Sequence, residues 1–158
     1  MVRALEVDSS NVSNRKLCIV DTGYDLGHED LQTNKVSGYG GSFTAGPWDQ
    51  DGNGHGTHVA GTIAGIGNNN KGVIGVVPNS EMDLFIVRVF GNNGSWAWGS
   101  DIVAAVEECV NGGSDIVSMS LGRGGEYSEV LTYLQGTALI SNNRALSTAA
   151  HQQNVCRP

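Results

Sequence analysis

The chain has 158 residues, a length that fits one domain and suffices for a buried core. Its 39% hydrophobic and 16% charged residues are globular composition, and no apolar run approaches the roughly 20 residues that a membrane-spanning helix needs. With 9 basic against 16 acidic side chains, a net charge of -7 and no basic stripe, it would repel a phosphate backbone, so neither nucleic acid nor a membrane is an expected partner.

The 23 glycines cluster around short apolar runs as tight βα turns require, which favours an α/β fold over an all-α one. Leu17 to Val20 is such a run, stopped by Asp21-Thr22-Gly23; it reads as a buried parallel strand whose carboxyl end is the place for a ligand. Gly38 to Gly54 is Gly-rich and polar with scattered aromatics (Tyr39, Phe43, Trp48), and reads as a long loop, functional or disordered. From His55 to Gly65 small apolar residues suit a buried helix packed close to its neighbours, which must offset the helix propensity its glycines lose.

A polar loop, Gly67 to Gly72, leads to the apolar stretch Val73 to Pro78, and Met82 to Phe90 alternates as a second strand would. Asp101 to Val110 has apolar positions at helical spacing, with Ser100 as N-cap and Gly112-Gly113 as the stop. Ile116 to Gly122 closes a parallel, right-handed β-α-β unit. Residues 123 to 158 hold no continuous strand-like run, and Ser141 to Pro158 mixes Asn, Gln, Ser and Arg without a period.

Val20-Asp21-Thr22-Gly23 puts a carboxylate at a strand end, and Gly52 to Gly61, centred on His55-Gly56-Thr57-His58, puts an imidazole at a helix start. A buried acid that orients a histidine, so that the histidine can take a proton from a hydroxyl, needs these two groups from separate elements meeting above a sheet. Asp-Thr-Gly alone also marks aspartic proteases, but those need a second copy that this chain lacks.

Asp-Thr-Gly at 21 to 23, His-Gly-Thr-His-Val-Ala-Gly at 55 to 61, Gly-Val-Val-Pro at 75 to 78 and Ser-Met-Ser-Leu-Gly at 118 to 122 occur in the order of the landmarks of the subtilisin family, which the chain resembles over most of residues 17 to 122. The resemblance implies an α/β fold with a parallel sheet flanked by helices in three layers. It implies a serine endopeptidase acting on proteins or peptides, secreted and monomeric in its complete form, with Asp21 as orienting acid, His55 as general base and His58 as a structural helix residue. Ser120, Leu121 and Gly122 resemble the edge on which the family pairs substrate backbone as an added strand, Gly94, Ser95 and Trp96 resemble the facing segment, and Trp98 would line an apolar side-chain pocket. A plain packing role for Trp96 and Trp98 is the alternative. The family's structural calcium site implies ligands from Asp30, Asn69 and the carbonyls of Gly67, Lys71 and Val73, an oxygen-only set that suits a hard cation.

Several other readings compete. Asp49 to Asn53 imitates the first half of an EF-hand loop, but the twelfth position is Ala60 where a bidentate Glu is required. His55 and His58 lack the four-residue spacing and adjacent Glu of a metalloprotease helix. No Gly-x-Gly-x-x-Gly follows the first strand, which disfavours a dinucleotide-binding domain. Cys18, Cys109 and Cys156 are an odd set with no C-x-x-C pair; Cys18 and Cys109 could meet between strand and helix, but buried free thiols are the expected state.

A complete member of the family continues to an Ala-Gly-Asn strand end, which stabilises the oxyanion, and to a Gly-Thr-Ser-Met-Ala helix, which supplies the nucleophile. Neither is present, and Ser128, Ser141 and Ser147 lack that glycine-bounded setting. The expectation is therefore an N-terminal remnant at 1–16, a partial catalytic domain at 17–122 and a divergent tail at 123–158, disordered or frameshifted. Met1 lies only a few residues before the first strand and is not followed by a secretory signal, so a gene fragment is expected, inactive alone. The alternative is a remnant that binds peptides or an inhibitor without cutting. Without later neighbours, the strand at 116 to 121 would become an exposed, aggregation-prone edge.

Overall fold

The computed structural model describes residues 12–40, 45–78, 81–94, 97–121 and 145–148. Strands β1 (Lys16–Asp21) and β2 (Val36–Tyr39), helix α1 (His55–Ala64), strand β3 (Asp83–Arg88), helix α2 (Gly99–Asn111) and strands β4 (Ile116–Met119) and β5 (Ala145–Thr148) follow in chain order. The strands form one sheet in the order β2-β3-β1-β4-β5, and every pairing is parallel. Such a sheet needs cover on both faces, which explains why β1, at its centre, is buried from Leu17 to Asp21.

Successive side chains of β1 point to opposite faces, and two cores result. Cys18 and Val20 join Val87, Val89, Val117 and Met119 under the inner stripe of α2, made of Ile102, Ala105, Val106 and Cys109. Leu17 and Ile19 join Leu84, Ile86, Tyr24 and Leu31 against Ala60 and Ala64 of α1. The three layers, helix, sheet and helix, are those the resemblance implies. Among the described residues no helix is long and apolar enough to cross a membrane.

Several boundaries differ from expectation. The segment read as a loop from Gly38 begins inside β2, a half-buried edge strand paired to β3. Helix α2 starts before Ser100; Trp98 holds the N-cap position, and its backbone N–H donates to Asp101 Oδ2 at 2.8 Å. The stretch 123 to 158 does contain a strand, β5, in register with β4 from Ile116↔Ala145 to Met119↔Thr148. Strand β4 is therefore flanked by β1 and β5 and is not the edge of the sheet. The rest of 123–158 lies outside the described residues.

The cysteines also depart from expectation. Cys18 and Cys109, both fully buried, are joined in a disulfide with a Cα–Cα distance of 5.6 Å. Cys18 faces the same layer as Val20, and Cys109 extends the stripe Ile102–Ala105–Val106, so the pair meets where strand and helix pack. The bond spans 91 residues, and closing a loop of that size in the unfolded chain is worth about 4–5 kcal/mol in the chain-entropy account. Replacing both cysteines by alanine should lower the unfolding free energy by about 3–5 kcal/mol in urea titrations; a midpoint unchanged from the parent would contradict this linkage.

Candidate active site

Asp21 ends the central strand, on the carboxyl side of the sheet where open α/β folds hold ligands. It is fully buried. Its Oδ1 accepts hydrogen bonds from the Thr22 backbone N–H at 2.7 Å and from His55 Nδ1 at 2.7 Å. An ionised carboxylate can only accept, so Nδ1 of His55 carries the proton and Nε2 is left as the basic nitrogen. The imidazole is about half exposed, 51% against 1% for the Asp21 side chain. One group is fixed and dry while the other can reach a reactant. The expected acid and base are thus brought together by β1 and the first residue of α1.

The meeting depends on a close approach of backbone. A Cβ on Gly56 would stand 2.3 Å from the Gly23 carbonyl oxygen and 3.2 Å from Asp21 Cβ, so only glycine lets the start of α1 rest on the end of β1. Gly56 N–H donates to Thr22 Oγ1 at 2.9 Å, which fastens the contact. Asp21 Oδ2, in contrast, has no hydrogen-bond partner among the described residues. Burial pushes the Asp21 carboxyl above its ordinary value, and the hydrogen bonds from His55 and Thr22 offset this only in part.

His58 lies on the exposed side of α1, at the border of a cavity of about 430 Å³ shared with Asp25, His28, Asp30 and Thr57. Among the described residues no three His, Cys, Asp or Glu side chains group as metal ligands. Around Asp30, which is 3% exposed, the loop after α1 curls tightly: Asn68 and Asn70 take left-handed backbone angles. A Cβ on Gly72 would lie 1.9 Å from Asp30 Oδ2. Asn69 Nδ2 donates to Asp30 Oδ1 at 2.7 Å, Val73 N–H donates to Oδ2 at 2.8 Å, and Asn69 Oδ1 accepts from Lys71 N–H at 3.0 Å. Asp30, Asn69, Lys71 and Val73 are therefore brought together, with Gly67 on the same loop.

Of the substrate-edge candidates, Gly94 is exposed, Ser120 and Leu121 are half-buried and Trp98 is 80% exposed. Leu121 and Ala97 both pack against the core on the α2 side, so their two segments share one face. Ser95, Trp96 and Gly122 lie outside the described residues.

Two residues that the sequence reading passed over stand beside the pair. Asp51, weighed only as part of an EF-hand imitation, accepts from Thr22 Oγ1 (2.8 Å), Gly54 N–H (2.9 Å), Thr57 N–H (2.9 Å) and Thr57 Oγ1 (2.6 Å). Arg88, 3% exposed at the end of β3, donates to the carbonyls of Pro47, Gln50 and Phe90 and to Asn92 Oδ1. The signals were available: an acid four residues before the helix-starting histidine, and a cation inside an apolar strand.

With this geometry in place, comparison with known proteins is informative. The subtilase family, Peptidase S8, matches residues 13–153. Subtilisin DY of Bacillus licheniformis is 45% identical over 111 residues, 70% of this chain and 38% of the relative. Subtilisin E of Bacillus subtilis (strain 168) is 39% identical over 121 residues, 75% of this chain and 30% of the relative. The crystal structure of the psychrophilic subtilisin-like protease from the Antarctic psychrotroph Pseudoalteromonas sp. AS-11 superimposes with a TM-score of 0.75 and 46% identity, covering 87% of this chain and 31% of that one. The chain thus spans less than half the length of these relatives.

The raised Asp21 carboxyl has a consequence for stability. A carboxyl that titrates higher folded than unfolded, where about 3.9 is usual, favours the folded state while protonated and loses that advantage as pH rises through the window between the two values. The thermal midpoint of the parent, minus that of Asp21→Asn, should fall as pH is raised from about 4 toward neutrality; a difference that grows over this range would contradict the assignment.

Proposed function

Because the chain belongs to the subtilase family, we propose that it carries the acid–base half of a serine endopeptidase site. In this reading Asp21 holds His55 in the Nδ1–H tautomer, and Nε2 takes the proton of a serine hydroxyl as that oxygen attacks a peptide carbonyl. Asp21 then stabilises the imidazolium that forms, which later returns its proton to the leaving amine. The observation that carries the proposal is the 2.7 Å hydrogen bond between Asp21 and His55, made between residues of two elements over a glycine contact that admits no side chain.

The substrate is a protein or peptide, docked as an added strand between the segments at Gly94–Trp98 and Ser120–Gly122, with Trp98 against an apolar side chain. The core contacts of Ala97 and Leu121 support this docking, since both residues pack on the same core. The 158 residues contain neither Ala-Gly-Asn nor Gly-Thr-Ser-Met-Ala, so by themselves they lack both nucleophile and oxyanion donor. We expect no hydrolysis of fluorogenic peptides by the purified chain above the His55→Ala control. Turnover blocked by a serine-directed phosphonate and absent in His55→Ala would contradict this and reveal a serine of unrecognised setting. Peptide binding without turnover would favour a non-cutting binder.

The loop around Asp30 suits calcium as a structural ion. One buried carboxylate, one amide side chain and the carbonyls of Gly67, Lys71 and Val73 are hard oxygen donors on a tightly curled loop, and they would hold the ion through its charge alone. Bound calcium would pin the C-terminal side of α1, remote from the chemical step. Calcium at 100 times its dissociation constant should then stabilise the fold by about 2.7 kcal/mol, read as a rise in thermal midpoint over the chelator-treated chain. The rise should vanish in Asp30→Ala; an equal rise in both would contradict the site. Secretion fits the Cys18–Cys109 disulfide, a bond that persists in oxidising compartments.

A further inference from the structure

We infer that Asp51 is a positioning residue of this site: its carboxylate ties the strand end carrying Asp21 to the helix turn carrying His55. The inference rests on the acid–base reading of that pair. Helix α1 begins on Gly54, which has a left-handed φ of 90° and no side chain to cap the first turn. The orphan donors of a helix start must then find acceptors elsewhere. Asp51 supplies them from three residues upstream. Its Oδ2 accepts from Thr57 N–H at 2.9 Å, the bond an N-cap side chain would ordinarily receive, and from Thr57 Oγ1 at 2.6 Å.

The other oxygen reaches the strand. Oδ1 accepts from Gly54 N–H at 2.9 Å and from Thr22 Oγ1 at 2.8 Å. The Thr22 hydroxyl is used twice, because it also accepts from Gly56 N–H at 2.9 Å. Thr22 N–H donates to Asp21 Oδ1, the same oxygen that receives His55 Nδ1. One threonine therefore joins the two carboxylates, and the backbone on both sides of the Asp21–His55 contact is held by Asp51. None of the described hydrogen bonds runs from Asp51 to the imidazole itself, so the residue acts through Thr22 and α1.

The brace is itself anchored. Arg88 donates to the carbonyls of Pro47 (3.0 Å) and Gln50 (2.7 Å) and to Asn92 Oδ1 (2.6 Å), and Asn92 Oδ1 also accepts from Gly52 N–H at 3.1 Å. The loop that presents Asp51 is thus pinned to β3. Burial raises the Asp51 carboxyl, but the four hydrogen bonds from Thr57, Gly54 and Thr22 outweigh it and leave the group below its ordinary value. An anion at this place is also favoured by the N-terminal end of the helix dipole.

The test uses the chain itself and the His55 Nδ1–H proton resonance, which a hydrogen bond to a buried carboxylate carries far downfield. Asp101→Asn serves as control, since it removes a cap carboxylate from α2 (Trp98 N–H to Asp101 Oδ2, 2.8 Å) and weakens a helix away from His55. Parent and Asp101→Asn should show the downfield resonance at one position; Asp51→Asn, at a temperature where circular dichroism shows it folded, should lose it or move it upfield. An unshifted resonance in folded Asp51→Asn overturns the inference, as does an equal change in Asp101→Asn. Should Asp51→Asn fail to fold, Thr22→Val, which removes only the bridging hydroxyl, decides by the same criterion. A parent lacking the resonance would refute the Asp21–His55 pair itself, an outcome distinct from failure of the Asp51 role alone.

Discussion

The close approach of α1 to the end of β1 is the contact on which the rest of the site depends. Gly56 rests on the Gly23 backbone with no room for a Cβ, and that contact sets the distance between an acid on one element and a base on the other. Its position is inherited from the sheet. Strand β1 lies between β3 and β4 with residues 17 to 19 paired to both, and Asp21 continues the pairing with Arg88 of β3, so it is held by the sheet and not by a flexible loop. Rigid support of this kind keeps the proposed acid–base pair within reach without a substrate to organise it.

Such placement is costly in stability. Asp21 is buried with one oxygen unpartnered among the described residues, and an incompletely paired buried carboxylate costs free energy that its hydrogen bonds return only in part. The surroundings offset this. The disulfide joins β1 to α2 three residues before Asp21, both cores draw on β1, and the buried guanidinium of Arg88 gives its protons to three backbone carbonyls and one side-chain amide. The buried carboxylate thus ends the strand on which both cores and the disulfide converge.

Much of this was legible in the sequence, and the exceptions have physical reasons. The apolar runs of β1, β3 and β4 and the stripe of α2 are strong local patterns; the Asp21 motif ends β1, and the His55 motif opens α1. Strand β2 was hidden because Val36–Tyr39 is short, half-buried and contains Gly38, whose missing side chain makes room for the Trp48 ring. Strand β5 was hidden because Ala-Leu-Ser-Thr has little strand preference of its own; its pairing with β4 makes it a strand. An odd cysteine count concealed the disulfide, although Cys18 shares the parity of Val20 and Cys109 falls on the Ile102–Ala105–Val106 stripe. The place of Asp51, four residues before His55, is visible in the sequence, but its partners Thr22, Gly54 and Thr57 are distant in sequence or ordinary in kind, so the fold is needed to show four donors on one carboxylate.

The central claim is that these residues alone assemble an oriented acid–base pair before any nucleophile is present. The most direct measurement is the tautomer of His55, read from the nitrogen chemical shifts of the ¹⁵N-labelled chain where the imidazole is neutral. The account predicts a protonated Nδ1 and a bare Nε2. A predominant Nε2–H form, or averaged shifts of a freely exchanging ring, would contradict it.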